Sequence, residues 1–365
     1  MGFETRLLAA TSSLRTSGID ALLITPGADL RYLVGYDAKP LERLTCLVVS
    51  ADSDPFMVVP ALEELAALAS PLADLGLEIL TWAETDDPIA IVAQRLAGAQ
   101  AVAIDDHMWA EKVLRFRNAM PNARQLPAGS ILGPLRIRKD AEEIASLITA
   151  GAAIDSVHER VSELIRPGRT ERQVGRDIHD AILEAGHAHV DFVIVASGPN
   201  GASPHHEVSD RVIREGDAIV VDIGGTMPDG YCSDSTRTYV VGEPDPDFLR
   251  MYAILQDSQQ TAVESVRPGM TCEAVDAVAR DRMTSAGIGD LFIHRIGHGI
   301  GLQSHEEPYL VAGNGLCLEP GMAFSIEPGF YLAGRFGARI EDIVICTDDG
   351  AQSVNHRPHH LQIIG

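Results

Sequence analysis

The chain has 365 residues, of which 45% are hydrophobic and 22% charged, a composition typical of folded proteins and sufficient for two domains with separate cores. Its 52 acidic and 29 basic residues give a formal net charge of -23, which argues against nucleic acids or anionic membranes as partners. No segment approaches the roughly 20 apolar residues that a transmembrane helix needs, and the five scattered cysteines argue against a disulfide framework or a zinc ribbon. The amphipathic start resembles a surface helix and not a signal peptide, so we expect a cytoplasmic protein.

Short apolar runs alternate with helical patterns up to about residue 133. Strands are predicted over 21–25, 46–50, 56–60, 77–80 and 101–105. Helical patterns cover 62–70 and 88–98 between them. This alternation predicts a small α/β domain over residues 1–133. The predicted strand 101–105 ends in a polar run, Asp105, Asp106 and His107. We expect a turn there and not a functional site.

A long helical pattern over 134–165 marks the start of a second domain, residues 134–365, whose sequence repeats itself. SELIRPGRT (162–170) resembles AVESVRPGMT (262–271), and EGDAIVVDIGG (215–225) resembles PGMAFSIEPGF (320–330). Each copy contains a helix, an RPG turn, a second helix capped by Thr170 or Thr271, and strands. A repeat of about one hundred residues indicates duplication into a pseudo-two-fold pair. We predict an α+β domain whose strands form one curved sheet with helices behind it.

The duplicated unit supplies carboxylates in matching places. Asp222 aligns with Glu327, each after a buried apolar run, and Asp234 and Glu341 each follow a glycine by four residues. We expect a buried strand to end directly before Asp222, and a carboxylate at the end of a buried strand is costly unless it is paired or binds a metal. We also expect ARIEDIVI to form one strand, on which Glu341 shares a face with Arg339. Asp342, the neighbour of Glu341, is expected to point the other way, toward solvent or into a structural contact.

One histidine completes the candidate set. His298 lies in RIGHGIG, which we expect to be a turn, and its flanking glycines allow close approach of the backbone. Four carboxylates and one imidazole make an oxygen-rich site that suits pairs of Mn²⁺, Co²⁺, Fe²⁺ or Zn²⁺ better than a structural zinc ion. Such pairs activate water and polarise a carbonyl, so hydrolysis of a peptide bond is the function we predict.

These motifs resemble the metallopeptidases of the pita-bread fold, which include methionine aminopeptidases, Xaa-Pro aminopeptidases and Xaa-Pro dipeptidases. The matching segments are VVDIGG, GYCSDSTRT, HRIGHGIGLQSHEEP, FSIEPGFY and ARIEDIV. The resemblance covers essentially the whole chain, and the α/β domain ahead of the metal domain is similar to that of the Xaa-Pro aminopeptidase and dipeptidase (prolidase) branches. We expect the prolidase branch to be the nearest.

The resemblance implies a division of roles among the ligands. Asp222 would hold one ion, Asp234 and Glu341 would bridge two ions, and His298 with Glu327 would complete the other. A bridging hydroxide would attack the peptide carbonyl, and Glu327 would also shuttle the proton. Manganese is the ion we expect, with cobalt, iron or zinc as alternatives.

Further residues are implied by the same resemblance. His205 in NGASPHH, in preference to its neighbour His206, and His305 in SHEEP would stabilise the oxyanion. Arg339 would orient a ligand carboxylate from behind. Tyr331 is a weaker candidate for that role, and simple packing is its alternative.

Two positions depart from the family pattern. The first two aspartates are separated by one position more than is usual, which MPDGY accommodates as a longer hairpin loop. Several proline dipeptidases place an arginine after HExP to bind the substrate carboxylate, and here that position is Tyr309. Arg335 is a candidate substitute, although a loop arginine is usually solvated.

The function we predict is that of an Xaa-Pro dipeptidase acting on short peptides. The first alternative is an Xaa-Pro aminopeptidase acting on longer peptides. A creatinase-like amidinohydrolase and a non-catalytic peptide-binding module are further alternatives, and the complete ligand set argues against both. We also expect a homodimer in which the N-terminal domain covers the partner's site.

Overall fold

The computed structural model describes residues 2–365, which divide into two compact units, residues 2–136 and 137–365. The sequence places the division after residue 133, inside a helix that continues to Arg136. The predicted helical run over 134–165 is wrong as a single element. A new helix begins only at Ala141, because Asp140 caps it and forms a capping box with Glu143. No helix in the described residues has both the length and the apolar character needed to span a bilayer.

The first unit is an α/β domain built on one mixed sheet of order β4-β3-β2-β1-β5-β6. Its strands are β1 (Ala21–Ile24), β2 (Cys46–Ser50), β3 (Phe56–Pro60), β4 (Glu78–Trp82), β5 (Ala101–Ile104) and β6 (Arg124–Pro127). Its helices are α1 (Phe3–Ser17), α2 (Ala28–Val34), α3 (Glu64–Leu68), α4 (Pro88–Arg95), α5 (Ala110–Ala119) and α6 (Gly129–Arg136). The five predicted strands are present, and the polar strand β6 has no apolar pattern that would have revealed it. Asp105 accepts hydrogen bonds from Thr25 and begins a turn, as expected.

The second unit contains two similar successions of helices and strands. The first comprises α7 (Ala141–Leu164), α8 (Glu171–Glu184), β7 (His189–Ser197), β8 (Ala218–Thr226) and β9 (Cys232–Val241). The second begins with α9 (Pro246–Ser265), α10 (Cys272–Ser285), β10 (Gly297–Gly299), β11 (Glu306–Leu310) and β12 (Ala323–Ile326). It ends with β13 (Gly329–Leu332), β14 (Phe336–Arg339), β15 (Asp342–Thr347), β16 (Gly350–Ser353) and β17 (Gln362–Ile364).

The strands of this unit form separate sheets and not the single curved sheet that the sequence suggests. One sheet has the order β17-β9-β8-β7, a second has the order β11-β10-β12-β15-β16, and β13 pairs with β14 alone. An isolated bridge between Thr236 and Glu341 joins the first two sheets. Helices α7 and α8 cover the first sheet and α9 and α10 the second, each through its own apolar core. The predicted caps Thr170 and Thr271 both bond to the first turn of their helices.

Candidate metal centre and active site

Asp222 and Asp234 lie on one face of the four-stranded sheet. Asp222 is opposite Thr236 and Asp234 is opposite Gly224 in the antiparallel pair of β8 and β9. Alternate residues of a strand share a face, so the two carboxylates are diagonal neighbours on that face. The prediction that a strand ends just before Asp222 is wrong, because β8 continues to Thr226. The extra residue lies in the connecting loop 227–231, and the two aspartates stay together.

Glycines allow the short strand β10 to pass close to its neighbours. A Cβ atom on Gly297 would collide with the carbonyl oxygen of Ser325, and one on Gly299 with that of Glu307. His298, between the two glycines, is therefore on a strand and not in the turn that its glycine-rich sequence suggests.

The imidazole of His298 is oriented by its own backbone. Its Nδ1 lies 3.1 Å from the carbonyl oxygen of Gly299, which can only accept, so Nδ1 carries the proton. Nε2 is thereby directed at Glu327 Oε1, 3.2 Å away, and at Asp234 Oδ2, 3.8 Å away. Nε2 can donate to Glu327 when no cation is bound, and its lone pair can coordinate a metal ion when the proton is lost.

Glu341 lies between two strands, because β14 ends at Arg339 and β15 begins at Asp342. The single strand predicted through these residues is therefore wrong. Thr236 connects Glu341 to Arg339. Its Oγ1 donates to Glu341 Oε2 at 2.7 Å and accepts from Arg339 Nε at 3.2 Å. The guanidinium of Arg339 also donates to Asp222.

Tyr331 extends this hydrogen-bond chain to a histidine that sequence reasoning missed. Arg339 donates to the Tyr331 hydroxyl at 2.7 Å, and that hydroxyl lies 2.9 Å from His294 Nε2. Because His294 Nδ1 must donate to the carbonyl oxygen of Arg295, Nε2 accepts from Tyr331. Burial lowers the pKa of His294, which favours this neutral form.

Asp342 is buried and plays a structural part, so its solvent alternative is wrong. Its carboxylate accepts from Arg237 at 2.7 Å, and lies 2.6 Å from His359 Nε2 and 3.2 Å from the side-chain amide of Gln259. Arg237 also donates to the carbonyl oxygen of Glu341 at 2.7 Å. The two adjacent acids therefore face different surroundings.

The chemistry of the converging side chains fits divalent cations. One oxygen of Asp222 is buried without a hydrogen-bond partner in residues 2–365. Burial, and then repulsion from neighbouring carboxylates, raises the pKa of both Asp234 and Glu341. Ligand atoms lie within 4.8 Å of one another in the group Asp222, Asp234 and Glu341 and in the group His298, Glu327 and Glu341. A cluster of buried carboxylates that repel one another, with one unsatisfied oxygen, is the environment that bound cations neutralise.

The cluster lines a pocket of about 970 Å³. His205 and His305 line this pocket, and the His305 ring centroid is 3.8 Å from that of His298. His206 also lines the pocket, with Nε2 2.8 Å from the buried carboxylate of Glu171. One wall is apolar, formed by residues of β7 and of the following loop: Phe192, Val193, Ile194, Pro204 and Val208.

A cation near Tyr309 is the other feature that the sequence did not reveal. The guanidinium of Arg295 lies 4.2 Å from the Tyr309 ring centroid, and Arg295 lines the pocket. Arg335, the substitute considered from the sequence, instead pairs with Asp245 at 2.7 Å and Asp247 at 3.3 Å. His294 and Arg295 both stand in HRIGHG, so their closeness to His298 in sequence was the available signal.

The fold and the converging acidic side chains define a metal-dependent peptidase, and comparison with known proteins gives its family. The model of metallopeptidase family M24 matches residues 145–348, and that of the creatinase/prolidase N-terminal domain matches residues 6–138. The chain belongs to metallopeptidase family M24, with a pita-bread catalytic domain near the prolidase branch. The family and the fold predicted from the sequence are confirmed.

Similar proteins match almost the whole chain. "Probable dipeptidase PepE" of Mycobacterium tuberculosis is 53% identical over 363 residues, covering 99% of this chain and 96% of that protein. The Xaa-Pro dipeptidase of Lactobacillus helveticus is 37% identical, covering 96% of each. The crystal structure of dipeptidase PepE from Mycobacterium ulcerans superposes with a TM-score of 0.95 at 52% identity, covering 99% of this chain and 98% of that one.

Proposed function

We propose that this metallopeptidase is a dinuclear Xaa-Pro dipeptidase. The observation that carries the proposal is the convergence of four carboxylates and His298 in one pocket, with an oxygen of Asp222 buried and unpaired. The relatives support the substrate class, since one is a probable dipeptidase and another an Xaa-Pro dipeptidase.

The five side chains divide between two ions in this proposal. Asp222 would hold one ion, His298 and Glu327 would hold the other, and Asp234 and Glu341 would contact both. When bound, two divalent ions supply an activated water near neutral pH and polarise the scissile carbonyl. Manganese is our proposed ion, with cobalt, iron or zinc as alternatives that the same oxygen-rich set accepts.

Glu327 is the proposed proton carrier. Burial alone would raise its pKa, but the hydrogen bond and charge of His298 outweigh burial and lower the pKa to about 2. Glu327 is then ionised at neutral pH and can take a proton before passing it to the leaving nitrogen. Ser325 Oγ donates to its Oε1 at 3.0 Å, which restrains the carboxylate.

His205 and His305 are the proposed donors to the carbonyl oxygen as it becomes an oxyanion. Desolvation, and then the interaction with the neighbouring imidazole of His298, lowers the pKa of His305 to about 4. A neutral imidazole still donates through one N–H, so His305 can act at neutral pH without carrying a charge. His205 lines the same pocket, as a donor to that oxygen must.

Arg295 supports dipeptides over longer substrates. Its guanidinium provides a cation in the pocket, next to the ring of Tyr309. Tyr309 occupies the position at which several proline dipeptidases have an arginine. A dipeptide places its C-terminal carboxylate one residue beyond the scissile bond, where a cation stabilises it. A tripeptide has no carboxylate at that place, so it would not gain this contact with Arg295. An Xaa-Pro aminopeptidase, which acts on such longer peptides, is the second candidate.

Turnover of Ala-Pro and Ala-Pro-Ala with added Mn²⁺ tests the substrate. We expect faster hydrolysis of Ala-Pro, and a rise in its KM in Arg295→Met that is absent in Arg335→Ala, whose arginine lies outside the pocket. Activity confined to the tripeptide would establish the aminopeptidase instead. Failure on both peptides would reject an Xaa-Pro substrate.

Removing the ions tests the cofactor. We expect EDTA to abolish hydrolysis and Mn²⁺ or Co²⁺ to restore it, with two ions bound per chain by elemental analysis. Full activity after exhaustive chelation would contradict the dinuclear proposal.

We also propose a cytoplasmic homodimer. The five cysteines are all unpaired, which suits a reducing compartment. Sedimentation equilibrium tests the dimer: we expect the mass of two chains, and a single monomeric species would contradict the proposal.

A further inference from the structure

The side chain of Glu171 is fully inaccessible to solvent, although Glu171 has no part in the proposed chemistry. Glu171 is the first residue of α8, directly after the cap Thr170. A buried carboxylate needs several donors to offset the loss of its hydration. Glu171 has them, from four residues that lie far along the chain from it: Ser197, Asn200, His206 and Ser209.

These donors bracket the segment 197–209. Ser197 donates through its backbone N–H at 2.8 Å and its hydroxyl at 2.6 Å. Ser209 donates at the other end, through its backbone N–H at 3.2 Å and its hydroxyl at 2.5 Å. Asn200 Nδ2 lies 3.0 and 3.1 Å from the two carboxylate oxygens. One side chain therefore ties together both ends of a segment whose middle contains His205.

The middle of the segment has its own contact with the metal cluster. The carbonyl oxygen of Pro204 lies 3.4 Å from both terminal nitrogens of Arg339, whose guanidinium also contacts Asp222. Pro204, His205 and His206 all line the pocket. Arg339 therefore contacts the middle of this segment, and Glu171 contacts both of its ends.

The internal repeat shows that starting a helix does not require this glutamate. In the second copy Thr271 caps α10, and the next residue is the buried Cys272. Cys272 is small and uncharged, so it cannot anchor a remote segment as a carboxylate can, although its helix begins in the same way. Glu171 is therefore not needed to start α8, and its carboxylate has another structural role.

We propose that Glu171 is a positioning residue that holds the segment 197–209 in place, so that His205 faces the scissile carbonyl. This rests on the proposed function, in which His205 stabilises the oxyanion. His206 is the nearest link, because Glu171 can only accept and the Nε2 of His206 must donate to it. In the neutral ring Nδ1 is then an acceptor, and the orientation of this histidine is fixed beside His205.

The charge of Glu171 is consistent with this anchoring. Burial alone would raise its pKa, but hydrogen bonds from Ser197 and Ser209 outweigh burial and lower the pKa to about 2. Its position at the start of α8 adds the favourable interaction of a carboxylate with a helix N-terminus.

Hydrogen exchange measured by mass spectrometry tests the anchor without any assay of catalysis. In Glu171→Ala we expect the amides of Ser197 and Ser209 to exchange at least roughly tenfold faster because their acceptor is gone, and those between them to exchange faster because the ends of the segment are released. Glu171→Gln keeps the shape and one oxygen, so it should fold even where alanine does not, and show a smaller acceleration. Asp105→Asn, which removes a buried carboxylate that Thr25 contacts in the other unit, should leave the exchange of 197–209 unchanged.

Kinetics on Ala-Pro test the link to His205. A displaced oxyanion donor stabilises the transition state less but leaves substrate binding intact. In Glu171→Ala kcat should therefore fall by roughly a hundredfold with little change in KM. In a His205→Ala background the same substitution should lower kcat very little further, because the residue it positions is absent. Asp105→Asn should lower the melting temperature with kcat unchanged.

Two results would overturn the proposal. One is unchanged exchange over 197–209 in both Glu171 variants. The other is an equal loss of kcat in the wild-type and His205→Ala backgrounds, which a purely structural defect would give. If the wild-type enzyme hydrolyses no Xaa-Pro dipeptide, the proposed function fails by itself, while the exchange measurement still decides whether Glu171 is the anchor.

Discussion

Replacing Arg339 by alanine tests how the cluster is held together before any cation binds. Arg339 is buried, and its guanidinium contacts Asp222, Tyr331 and Thr236. Removing one partner of a buried ion pair costs about 3–5 kcal/mol, because the remaining charge is left uncompensated. For a domain of this size the melting temperature should fall by on the order of 10 °C.

Urea denaturation in EDTA gives this cost directly, and a repeat in Mn²⁺ separates the two roles of the arginine. Because a variant that binds cations more weakly gains less stability from them, we expect the difference in unfolding free energy from wild type to widen when Mn²⁺ is present. Calorimetric titration should show metal affinity weaker by about 10- to 100-fold, the usual effect of losing a residue that orients a ligand.

Arg335→Ala is the matched control. This arginine also pairs with two carboxylates, but its side chain is 44% exposed, so its removal should leave both stability and metal affinity nearly unchanged. Equal effects of the two substitutions, or an Arg339→Ala protein as stable as wild type in EDTA, would refute the reasoning.

Three further predictions concern the ligands, a glycine and acid stability. Asp234→Ala or Glu341→Ala should abolish hydrolysis and occupancy by two ions, and a variant that retains both would contradict the ligand assignment. Gly297→Ala should yield little folded protein by circular dichroism, since its Cβ would meet a backbone carbonyl of β12, whereas Gly315→Ala has open space and should fold normally. The depressed pKa of Glu171 contributes stability above its ordinary pKa of 4.5, up to about 3 kcal/mol, and that contribution is lost as the pH falls toward 2. The difference in unfolding free energy between wild type and Glu171→Gln should therefore be constant above about pH 5 and smaller by about 1 kcal/mol at pH 4, whereas an unchanged difference would show that the charge of Glu171 does not contribute.

Apolar periodicity and helix caps were sufficient to predict much of the fold. The buried runs of β1, β2, β3 and β5 were visible because flanking turn residues delimit them. The caps at Thr170 and Thr271 located the second helix of each repeat. The division into several sheets was not predictable, because nothing local reports where a strand such as β14 stops and β15 begins.

The candidate ligands were found because duplication placed carboxylates at matching positions. The residues around them were harder to find, because their partners are remote in sequence. Glu171 meets Ser209, and Thr236 meets Glu341, only after the strands have paired. His294 and Arg295 follow no periodic pattern, so their place in the pocket depends on the path of an irregular segment.

The order of the four-stranded sheet has a consequence for synthesis. Strand β9, which carries Asp234, lies between β8 and β17, and β17 is about 120 residues further along the chain. During translation β9 can pair with β8 early, but its other edge must wait for Glu341, which bridges to Thr236, and for residues 362–364. Contacts of such long sequence separation form slowly, and an unpaired edge invites association with other chains in the meantime. The strand that carries Asp234 is thus completed only when nearly all of this sequence has left the ribosome.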